Sequence, residues 1–417
     1  MANRGRRRKQ NHSTVVVVAI LLVLVEAFIF LAGYAVGVNQ ATEKSEEVVA
    51  DTEATQEAEP QQTQQISPEE QKVNDIIKEM TVSDMVYQMM FTTPEAITGV
   101  GTAIKAGEAT KTALESYPVG GIIYFSKNLE YREQAVSLIK NTQEYSKIPL
   151  FIGVDEEGGR VARIGQNPEM GTTKIPAMKE IGATGDAMQA YEAGETLAKD
   201  LKELGFNVNF APVADVLINS SNTEIGDRSF GSEPQAVASM VERLVEGLEE
   251  NGVSSALKHF PGHGSTTVDS HTGYSESTRT MEELHAVELV PFNAGIVAGA
   301  DFVMVSHMTL VNALEEKVPA SVSKEIITDL LLNELNFKGV VITDSFSMGA
   351  ITDKYSAGEA AVKAVEAGAD MILMSPDLKS AHDAVLKAVE NGEITEDRIK
   401  ESVKKILMLK AEKGMLD

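Results

Sequence analysis

The chain has 417 residues, no cysteine, and a formal net charge of −25 at pH 7. The absence of cysteine excludes disulfide bonds, thiolate metal sites and a cysteine nucleophile. The excess of negative charge disfavours nucleic acid as a partner and serves solubility. We accordingly interpret the acidic pair Glu156 and Glu157 as part of a solvated surface.

The first 38 residues have the composition of a membrane anchor. Residues 1–13 are basic, and residues 14–38 are largely apolar with Glu26 as their only charge. An apolar run of this length can span a bilayer as a helix, and the positive-inside bias keeps the basic tip in the cytoplasm. We predict a single-pass protein of the cell membrane with the rest of its chain outside. Cleavage as a signal peptide, which would give a secreted protein, is the alternative, although the run is longer than a usual signal core.

Residues 39–67 are rich in Glu, Gln, Thr and Ala and predict a disordered acidic linker. From residue 68 onward, short apolar runs alternate with longer amphipathic segments, a pattern typical of a parallel sheet with helical crossovers. Seven strands are clear and an eighth is not obvious. The predicted strands are residues 120–125, 150–155, 208–215, 253–259, 301–307, 339–344 and 371–375.

The segments between these runs have the periodicity of amphipathic helices. No glycine-rich phosphate fingerprint follows the first strands, and polar residues recur at the strand ends, which favours a barrel over an open doubly wound sheet. We therefore predict that residues 68–417 form one α/β domain, a (β/α)8 TIM-type barrel, with no second folded domain behind it. The predicted helices are residues 187–204, 234–251, 323–335, 356–367 and 395–413.

Polar and charged side chains gather where the predicted strands end. In α/β barrels the carboxyl ends of the strands and the loops after them hold the chemistry, so these side chains are expected to face one cavity. For Asp215 and His307 we favour a structural role. The full set is Asp155, Arg163, Asp215, Arg228, Lys258, His259, His271, His307 and Asp344.

The loop at residues 258–271 holds three of the seven histidines. Asp269 can accept a hydrogen bond from one ring nitrogen of His271, which fixes the tautomer and raises the basicity of the ring. The pair therefore resembles a mobile acid/base. Zinc binding by His259, His263, Asp269 and His271 competes, but their spacing matches no standard zinc pattern, so we predict neither a metal nor a cofactor.

Asp344 follows the apolar run at residues 339–343, so its carboxylate emerges from the end of a buried strand. Such a fixed, partly desolvated carboxylate can act as a nucleophile. The alternative is that Asp344 caps the turn that follows, a common role for Asp.

Recognition of a polar ligand must rely on polar side chains, because the chain has no Trp and few aromatic residues. Charged donors and acceptors orient hydroxyl groups well. The candidates for such contacts are Asp155, Arg163, Arg228, Lys258 and His259.

Five motifs together resemble glycoside hydrolase family 3, and specifically its β-N-acetylhexosaminidase branch. They occur in the family's order over about residues 68–410. The motifs are Gly-Val-Asp-Glu-Glu-Gly-Gly-Arg-Val-Ala-Arg (153–163), Asn-Phe-Ala-Pro-Val-Ala-Asp (209–215), Ile-Gly-Asp-Arg-Ser-Phe (225–230), Lys-His-Phe-Pro-Gly-His-Gly (258–264) and Ile-Thr-Asp-Ser-Phe-Ser-Met (342–348).

The resemblance implies a role for each matching residue. Asp344 would be the nucleophile of a retaining exo-β-N-acetylglucosaminidase, and His271, oriented by Asp269, its acid/base. A histidine in this role departs from the usual carboxylate pair of glycosidases. The residues implied to hold the terminal N-acetylglucosamine are Asp155, Arg163, Arg228, Lys258 and His259.

Ser345 departs from many family members, which have a second Asp directly after the nucleophile; Asp344 is then the only candidate there. The extracytoplasmic address points to cell-wall fragments such as muropeptides as substrates. Two other functions stay open: a β-N-acetylglucosaminide phosphorylase, because a histidine tolerates an approaching phosphate, and a membrane-tethered glycan-binding protein without turnover.

Overall fold

In the computed structural model, residues 66–266 and 275–416 are described. The predicted basic tip, the predicted membrane helix and nearly all of the predicted linker lie outside these ranges, and so do Asp269 and His271. Among the described residues, no helix combines the length and the apolar composition that a membrane crossing requires.

Eight parallel strands form the centre of the described part of the chain. They are β1 (Met90–Thr92), β2 (Gly121–Ile123), β3 (Phe151–Val154), β4 (Val208–Asn209), β5 (Ser254–Phe260), β6 (Phe302–Val305), β7 (Val340–Thr343) and β8 (Ile372–Leu373). Each strand from β1 to β6 pairs with the next one, and β8 pairs with β1. A single parallel bridge between Ile342 and Met371 joins β7 to the start of β8. The sheet is therefore a nearly closed barrel, consistent with the predicted TIM-type fold.

Helices surround this barrel and connect its strands. The helix Ala187–Leu204 has the predicted bounds; Asp186 caps its first turn, and Gly205 ends it in the left-handed conformation. The other α-helices of residues 66–266 and 275–416 are Pro68–Glu79, Val82–Gln88, Pro94–Thr98, Glu108–Ser116, Arg132–Tyr145, Met178–Ala183, Pro234–Glu249, Met281–Glu283, Leu289–Val297, Gly349–Thr352, Ala357–Ala367, Leu378–Glu390 and Glu396–Glu412. The segments Leu284–Glu288 and Glu325–Glu334 are π-helical.

Aromatic rings fill the interior of the barrel. Phe151 of β3 packs edge to face on Phe302 of β6, with 5.2 Å between ring centroids, although the two strands are not neighbours in the sheet. Phe91 and Phe210 form a second such pair at 5.3 Å. Gly153 leaves room for this pair, because a Cβ there would lie 2.7 Å from the Phe210 ring. The filled interior leaves the ends of the strands as the place for a ligand.

The strand that the sequence does not reveal is β1. It has three residues, begins two positions after the helix Val82–Gln88, and is followed by another helix at Pro94. Its buried residues Met90 and Phe91 continue the apolar pattern of Met85 and Val86 in the preceding helix and of Met89, which directly follows that helix. A short strand next to a helix adds no alternation that periodicity can detect.

Candidate active site at the carboxyl ends of the strands

A cavity of about 280 Å³ opens at the carboxyl ends of the barrel strands. Its lining combines polar and apolar side chains. The polar and charged lining residues are Asp155, Glu157, Arg160, Arg163, Glu224, Arg228, Lys258, His259, Asp344, Ser345 and Ser347. The apolar ones are Ile123, Phe125, Val161, Met304, Met348, Leu373 and Met374. The five residues predicted to bind substrate and the predicted nucleophile thus line a single cavity.

Asp344 directly follows β7. Its backbone N–H donates to the Val305 carbonyl of β6 at 2.8 Å, which extends the strand pairing to the cavity. One carboxylate oxygen accepts from the backbone N–H of Ser345 at 2.7 Å. The next helix, Gly349–Thr352, begins after Met348, so Asp344 caps no helix, and its contact with the turn that follows is the bond from the Ser345 N–H. Its side chain is partly buried, which is the placement expected of a carboxylate nucleophile.

Glu157 is the centre of a buried ion cluster, and its interpretation as part of a solvated surface is wrong. The side chain is 2% exposed. Its two oxygens accept from Arg228 Nε and Nη2 at 2.8 Å each, and Lys258 Nζ lies 2.6 Å from Oε1. Burial raises the pKa of Glu157, but the charges of Arg228 and Lys258 outweigh it and hold that pKa well below its ordinary value. Glu157 is therefore ionised and positions both cations.

All the hydrogen-bond donors of Arg228 contact other residues of the protein. Besides the two bonds to Glu157, Nη1 donates to the carbonyl and to a carboxylate oxygen of Glu224, both at 3.1 Å. Nη2 also lies 3.3 Å from His259 Nε2. These contacts account for the five N–H donors of a guanidinium. A ligand that binds Arg228 directly must therefore replace one of them, and the Glu224 contact is the most exposed.

His259 connects Arg228 to a buried aspartate. His259 Nδ1 lies 2.8 Å from Asp215 Oδ2, and a carboxylate can only accept, so Nδ1 has the proton. Arg228 can only donate, so Nε2 is the acceptor. Asp215 is fully buried and also accepts from the backbone N–H of His259 and of His263. Burial raises the pKa of Asp215, yet His259 and the other donors bring it below its ordinary value. These contacts agree with the structural role predicted for Asp215.

Asp155 and Lys258 form the second polar contact of the cavity. Lys258 Nζ lies 2.8 Å from Asp155 Oδ1, and Arg163 Nη2 lies 3.5 Å from Oδ2. Burial lowers the pKa of Lys258, but Asp155 and Glu157 outweigh this effect and raise it above the ordinary value. Arg163 Nε is buried without a hydrogen-bond partner. A ligand oxygen near Arg163 would satisfy that donor.

Glu156 holds the loop on which Arg163 lies. It is 4% exposed, and its two carboxylate oxygens accept from the backbone N–H groups of Ile164 and Gly165 at 2.8 and 2.9 Å. Burial raises the pKa of Glu156 to about 7, against the opposing effect of these backbone donors. The predicted surface role is therefore wrong for Glu156 as well.

His307 supports the segment that follows Asp344. It is fully buried, and its Nε2 donates to the Ser345 carbonyl at 2.8 Å while Nδ1 lies 2.8 Å from the Ser321 hydroxyl. The contacts agree with the structural role that we predicted for this histidine.

Of the four residues weighed as zinc ligands, only His259 and His263 are described. His263 is buried, which lowers the pKa of its ring below the ordinary value, and its Nδ1 lies 2.9 Å from the Thr266 hydroxyl. In the described ranges, no group of three or more His, Asp or Glu side chains is arranged to hold a metal ion.

Glu157 and Met374 are among the cavity residues that were not anticipated from the sequence. Glu157 lies two positions after Asp155 in the motif at residues 153–163, and its place after a strand end was the available signal. Met374 follows β8 and lines the cavity. No pattern in the sequence distinguishes it from a core methionine, since its position depends on the backbone conformation after β8.

Glu157→Gln is expected to destabilise the protein, because Arg228 and Lys258 stay buried with one counter-charge fewer. We expect the free energy of unfolding near pH 7 to fall by about 3–5 kcal/mol. The folded-state pKa of Glu157 is lowered, so its contribution is complete above its ordinary value of 4.5 and is lost as the pH falls below that value. Denaturant unfolding at several pH values measures both effects.

The matched control is Glu250→Gln, because Glu250 is exposed and contacts only the Tyr191 hydroxyl in a side-chain hydrogen bond. We expect this change to stay within about 0.5 kcal/mol of the parent. Equal unfolding midpoints for the two variants at pH 7 would contradict the assignment of Glu157 as the buried counter-charge.

Comparison with known proteins identifies the family to which the chain is similar. A family model described as "Glycosyl hydrolase family 3 N terminal domain" matches residues 73–409. A protein named beta-hexosaminidase from Stenotrophomonas maltophilia (strain R551-3) is 36% identical over 300 residues, which cover 70% of this chain and 85% of that protein. Beta-hexosaminidase A from Pseudoalteromonas piscicida is 35% identical over 326 residues, but the chain spans only 54% of its length.

A solved structure gives the same result. The glycoside hydrolase family 3 beta-N-acetylglucosaminidase from Paenibacillus sp. str. FPU-7 matches with a TM-score of 0.76 and 39% identity, covering 81% of this chain and 63% of that one. The motifs, the barrel and the family model therefore agree, and the chain belongs to glycosyl hydrolase family 3.

Proposed function

We propose that the protein is a retaining exo-β-N-acetylglucosaminidase that removes terminal β-linked N-acetylglucosamine from cell-wall fragments. The observation that supports this most is the position of Asp344 at the end of β7, in the same cavity as Asp155, Arg163 and Lys258. Family membership and the beta-hexosaminidase names of the relatives support the class of reaction and the sugar.

The size of the cavity favours a terminal sugar. A volume of about 280 Å³ lies just below the usual range for ligand sites, which begins at about 300 Å³, and it suits one sugar ring better than several. The polar lining residues offer donors and acceptors to the hydroxyl groups. Arg163 contributes a buried Nε that a sugar oxygen can satisfy.

In the first proposed step, the carboxylate of Asp344 attacks the anomeric carbon. The bond to the leaving oxygen breaks, and that oxygen takes a proton from His271, which Asp269 orients. The product is a covalent glycosyl-enzyme with inverted configuration at this carbon. The acid/base pair lies outside the described residues, so its role rests on the motif resemblance.

In the second step, His271 removes a proton from water, and the water oxygen attacks the same carbon. Asp344 leaves as a carboxylate, and the second inversion gives net retention. Throughout both steps the ion cluster around Glu157 keeps Lys258 and Asp155 in place, so the sugar meets a preorganised wall.

The proposed substrate and the proposed cellular location both depend on the predicted membrane anchor. If residues 14–38 hold the protein at the outer side of the membrane, its substrates are glycans found there, and peptidoglycan fragments contain β-linked N-acetylglucosamine. A phosphorylase would release a sugar 1-phosphate outside the cell, where it is not readily retained.

Asp344→Asn is expected to abolish release of N-acetylglucosamine from an aryl β-N-acetylglucosaminide, because an amide cannot form the glycosyl-enzyme. Loss should exceed about 10³-fold in kcat. The released sugar is identified by chromatography with and without phosphate. Sugar 1-phosphate formed only with phosphate would establish the phosphorylase, and saturable binding without turnover would establish the glycan-binding protein.

His271→Ala is expected to slow substrates with poor leaving groups far more than activated aryl glycosides, because only a poor leaving group needs a proton in the transition state. General acid catalysis contributes about 10²–10⁴-fold, and a difference of this order should separate an N-acetylglucosamine disaccharide from a nitrophenyl glycoside. The kcat/KM values of the two substrates measure it. Equal losses on both would rule out the acid role.

The whole chain is expected to sediment with membranes and to stay there in alkaline carbonate, because residues 14–38 supply a bilayer-spanning length of apolar sequence. A chain that begins at Pro68 is the control and should stay in the supernatant. Release of a shortened chain into the medium, identified by its N-terminal sequence, would show cleavage as a signal peptide instead.

A further inference from the structure

The acid/base loop, residues 261–275 after β5, is held at both of its described ends. Thr266 is the last described residue before Asp269 and His271, and Ser275 is the first described residue after them. His271 is five positions from Thr266 and four from Ser275. Four or five residues reach at most about 13–18 Å when extended. The contacts that fix these two ends therefore limit where the proposed acid/base can lie.

Backbone carbonyl groups at the start of the acid/base loop accept hydrogen bonds from the β4 loop, residues 210–225. Asn222 Nδ2 donates to the His263 carbonyl at 2.9 Å. Asn219 Nδ2 donates to the Thr266 carbonyl at 3.0 Å. Two amide side chains of one loop thus hold the main chain of the next loop.

The backbones of the two loops are also in direct contact. The Asn219 N–H donates to the Gly264 carbonyl at 3.0 Å, and a Cβ at Gly264 would lie only 1.8 Å from the Val216 carbonyl oxygen. The His263 N–H donates to Asp215 Oδ1 at 2.5 Å. The start of the acid/base loop is therefore packed and bonded along its length against the β4 loop.

The end of the acid/base loop is held by a short parallel sheet. Glu276–Ser277 pairs with Thr309–Leu310, and the first N–H of the second strand donates to the Ser275 carbonyl at 2.9 Å. The hydroxyl groups of Ser265 and Ser277 lie 3.0 Å apart and form a hydrogen bond. This bond joins the start of the loop to its end.

Asn222 also fixes the turn on which Arg228 lies. Its side chain is 4% exposed. Its Oδ1 accepts from the Ile225 N–H at 3.0 Å, and its backbone carbonyl accepts from the Gly226 N–H at 3.1 Å. One buried amide therefore connects the acid/base loop to the turn that contributes Arg228 to the ion cluster around Glu157.

The start of the acid/base loop lies near the proposed nucleophile. His263, whose carbonyl accepts from Asn222, is 2% exposed. Burial lowers the pKa of its ring, while the charges of Asp215 and Asp344 act in the opposite direction. Asp344 is therefore close enough for its charge to act on this ring, and the bond from Asn222 lies near the place where the glycosidic bond would break.

We propose that Asn222 is a positioning residue, which sets where the acid/base loop begins and thereby holds His271 within reach of the leaving oxygen. The assignment rests on the proposed function, because it acts through the acid/base of that reaction. Asn222 directs both N–H bonds of its amide to the protein, one to the His263 carbonyl and one to the Thr266 hydroxyl. A displacement of about 1 Å at a reacting group can cost about 10²-fold in rate.

Asn222→Asp tests this role, because an aspartate can still accept from the Ile225 N–H but cannot donate to the His263 carbonyl. We expect kcat/KM to fall by about 10-fold or more for an N-acetylglucosamine disaccharide, whose leaving oxygen needs a proton, and by less than about 3-fold for a nitrophenyl glycoside. Asn251→Asp is the matched control and should leave both values unchanged. It loses a similar bond, from Nδ2 to the Gly247 carbonyl at 2.9 Å, on the amino side of β5.

Azide provides a gain that misfolding cannot imitate. A displaced base slows the attack of water on the glycosyl-enzyme, whereas azide is a nucleophile from which no proton must be removed. Azide forms a bond to the anomeric carbon, Asp344 leaves as a carboxylate, and the product is a glycosyl azide. We expect azide to raise kcat of Asn222→Asp on the nitrophenyl glycoside by about 3-fold or more, and to leave Asn251→Asp unchanged.

Thr266 offers a second pair of variants. Its hydroxyl accepts from Asn222 Nδ2 at 3.3 Å and lies 2.9 Å from His263 Nδ1. Thr266→Val keeps the shape but removes the hydroxyl, so it should show the same selective loss on the disaccharide. Thr266→Ser keeps the hydroxyl and should restore the values of the parent. This pair decides the question if Asn222→Asp does not fold.

His271→Ala, assayed beside these variants, separates this assignment from the proposed function. If His271→Ala loses the disaccharide selectively while Asn222→Asp and Thr266→Val lose both substrates equally or neither, the acid role of His271 stands and the positioning role of Asn222 is overturned. If His271→Ala shows no selective loss, the acid role in the proposed function falls, and the positioning role falls with it.

Discussion

The site depends on one buried carboxylate between two buried cations. Glu157 lies on a hairpin after β3, in which Glu156–Gly158 pairs antiparallel with Val161–Ala162. Arg228 lies on the turn Gly226–Arg228 after β4, and Lys258 lies within β5, so their ion pairs join three separate parts of the barrel rim. Charges out of water are tolerated only when they are paired and hydrogen-bonded. The cluster therefore fixes the relative positions of these parts, and Asp155, held by Lys258, is fixed with them.

These buried contacts change the role that we assign to Arg228 and His259, two residues that the family motifs imply as sugar contacts. Arg228 and His259 form hydrogen bonds with each other and with three carboxylates of the protein, those of Glu157, Glu224 and Asp215. We infer that Arg228 and His259 mainly hold neighbouring side chains in position. The hydrogen-bonding groups that remain for a ligand then belong to Asp155, Lys258 and Arg163. Side chains that are held in place before the sugar binds lose little conformational entropy on binding. This saving in binding free energy compensates for the absence of Trp side chains that could stack on the sugar.

Much of the fold could be predicted from the sequence, because buried strands of a parallel barrel are continuous apolar runs. Strand β1 could not, since Met90 and Phe91 continue the pattern of the preceding helix. The strand-end rule predicted Asp155, Lys258, His259 and Asp344 because carboxyl ends of parallel strands converge. The argument from net charge misplaced Glu156 and Glu157, because adjacent acidic residues are common on surfaces, whereas in the fold both side chains are buried. Met374 depends on a backbone angle that no residue pattern encodes.

The charge balance of the cavity matters for the chemistry proposed at Asp344. An oxocarbenium-like transition state develops positive charge at the anomeric carbon, and an excess of cations nearby would oppose it. His259 donates through Nδ1 to Asp215 and accepts through Nε2 from Arg228. The charged side chains that line the cavity balance once Asp344 is included, with Asp155, Glu157, Glu224 and Asp344 against Arg160, Arg163, Arg228 and Lys258. The cavity as a whole can thus donate strong hydrogen bonds to sugar hydroxyls without an excess of cations, and the carboxylate of Asp344 can stabilise the reacting carbon at close range.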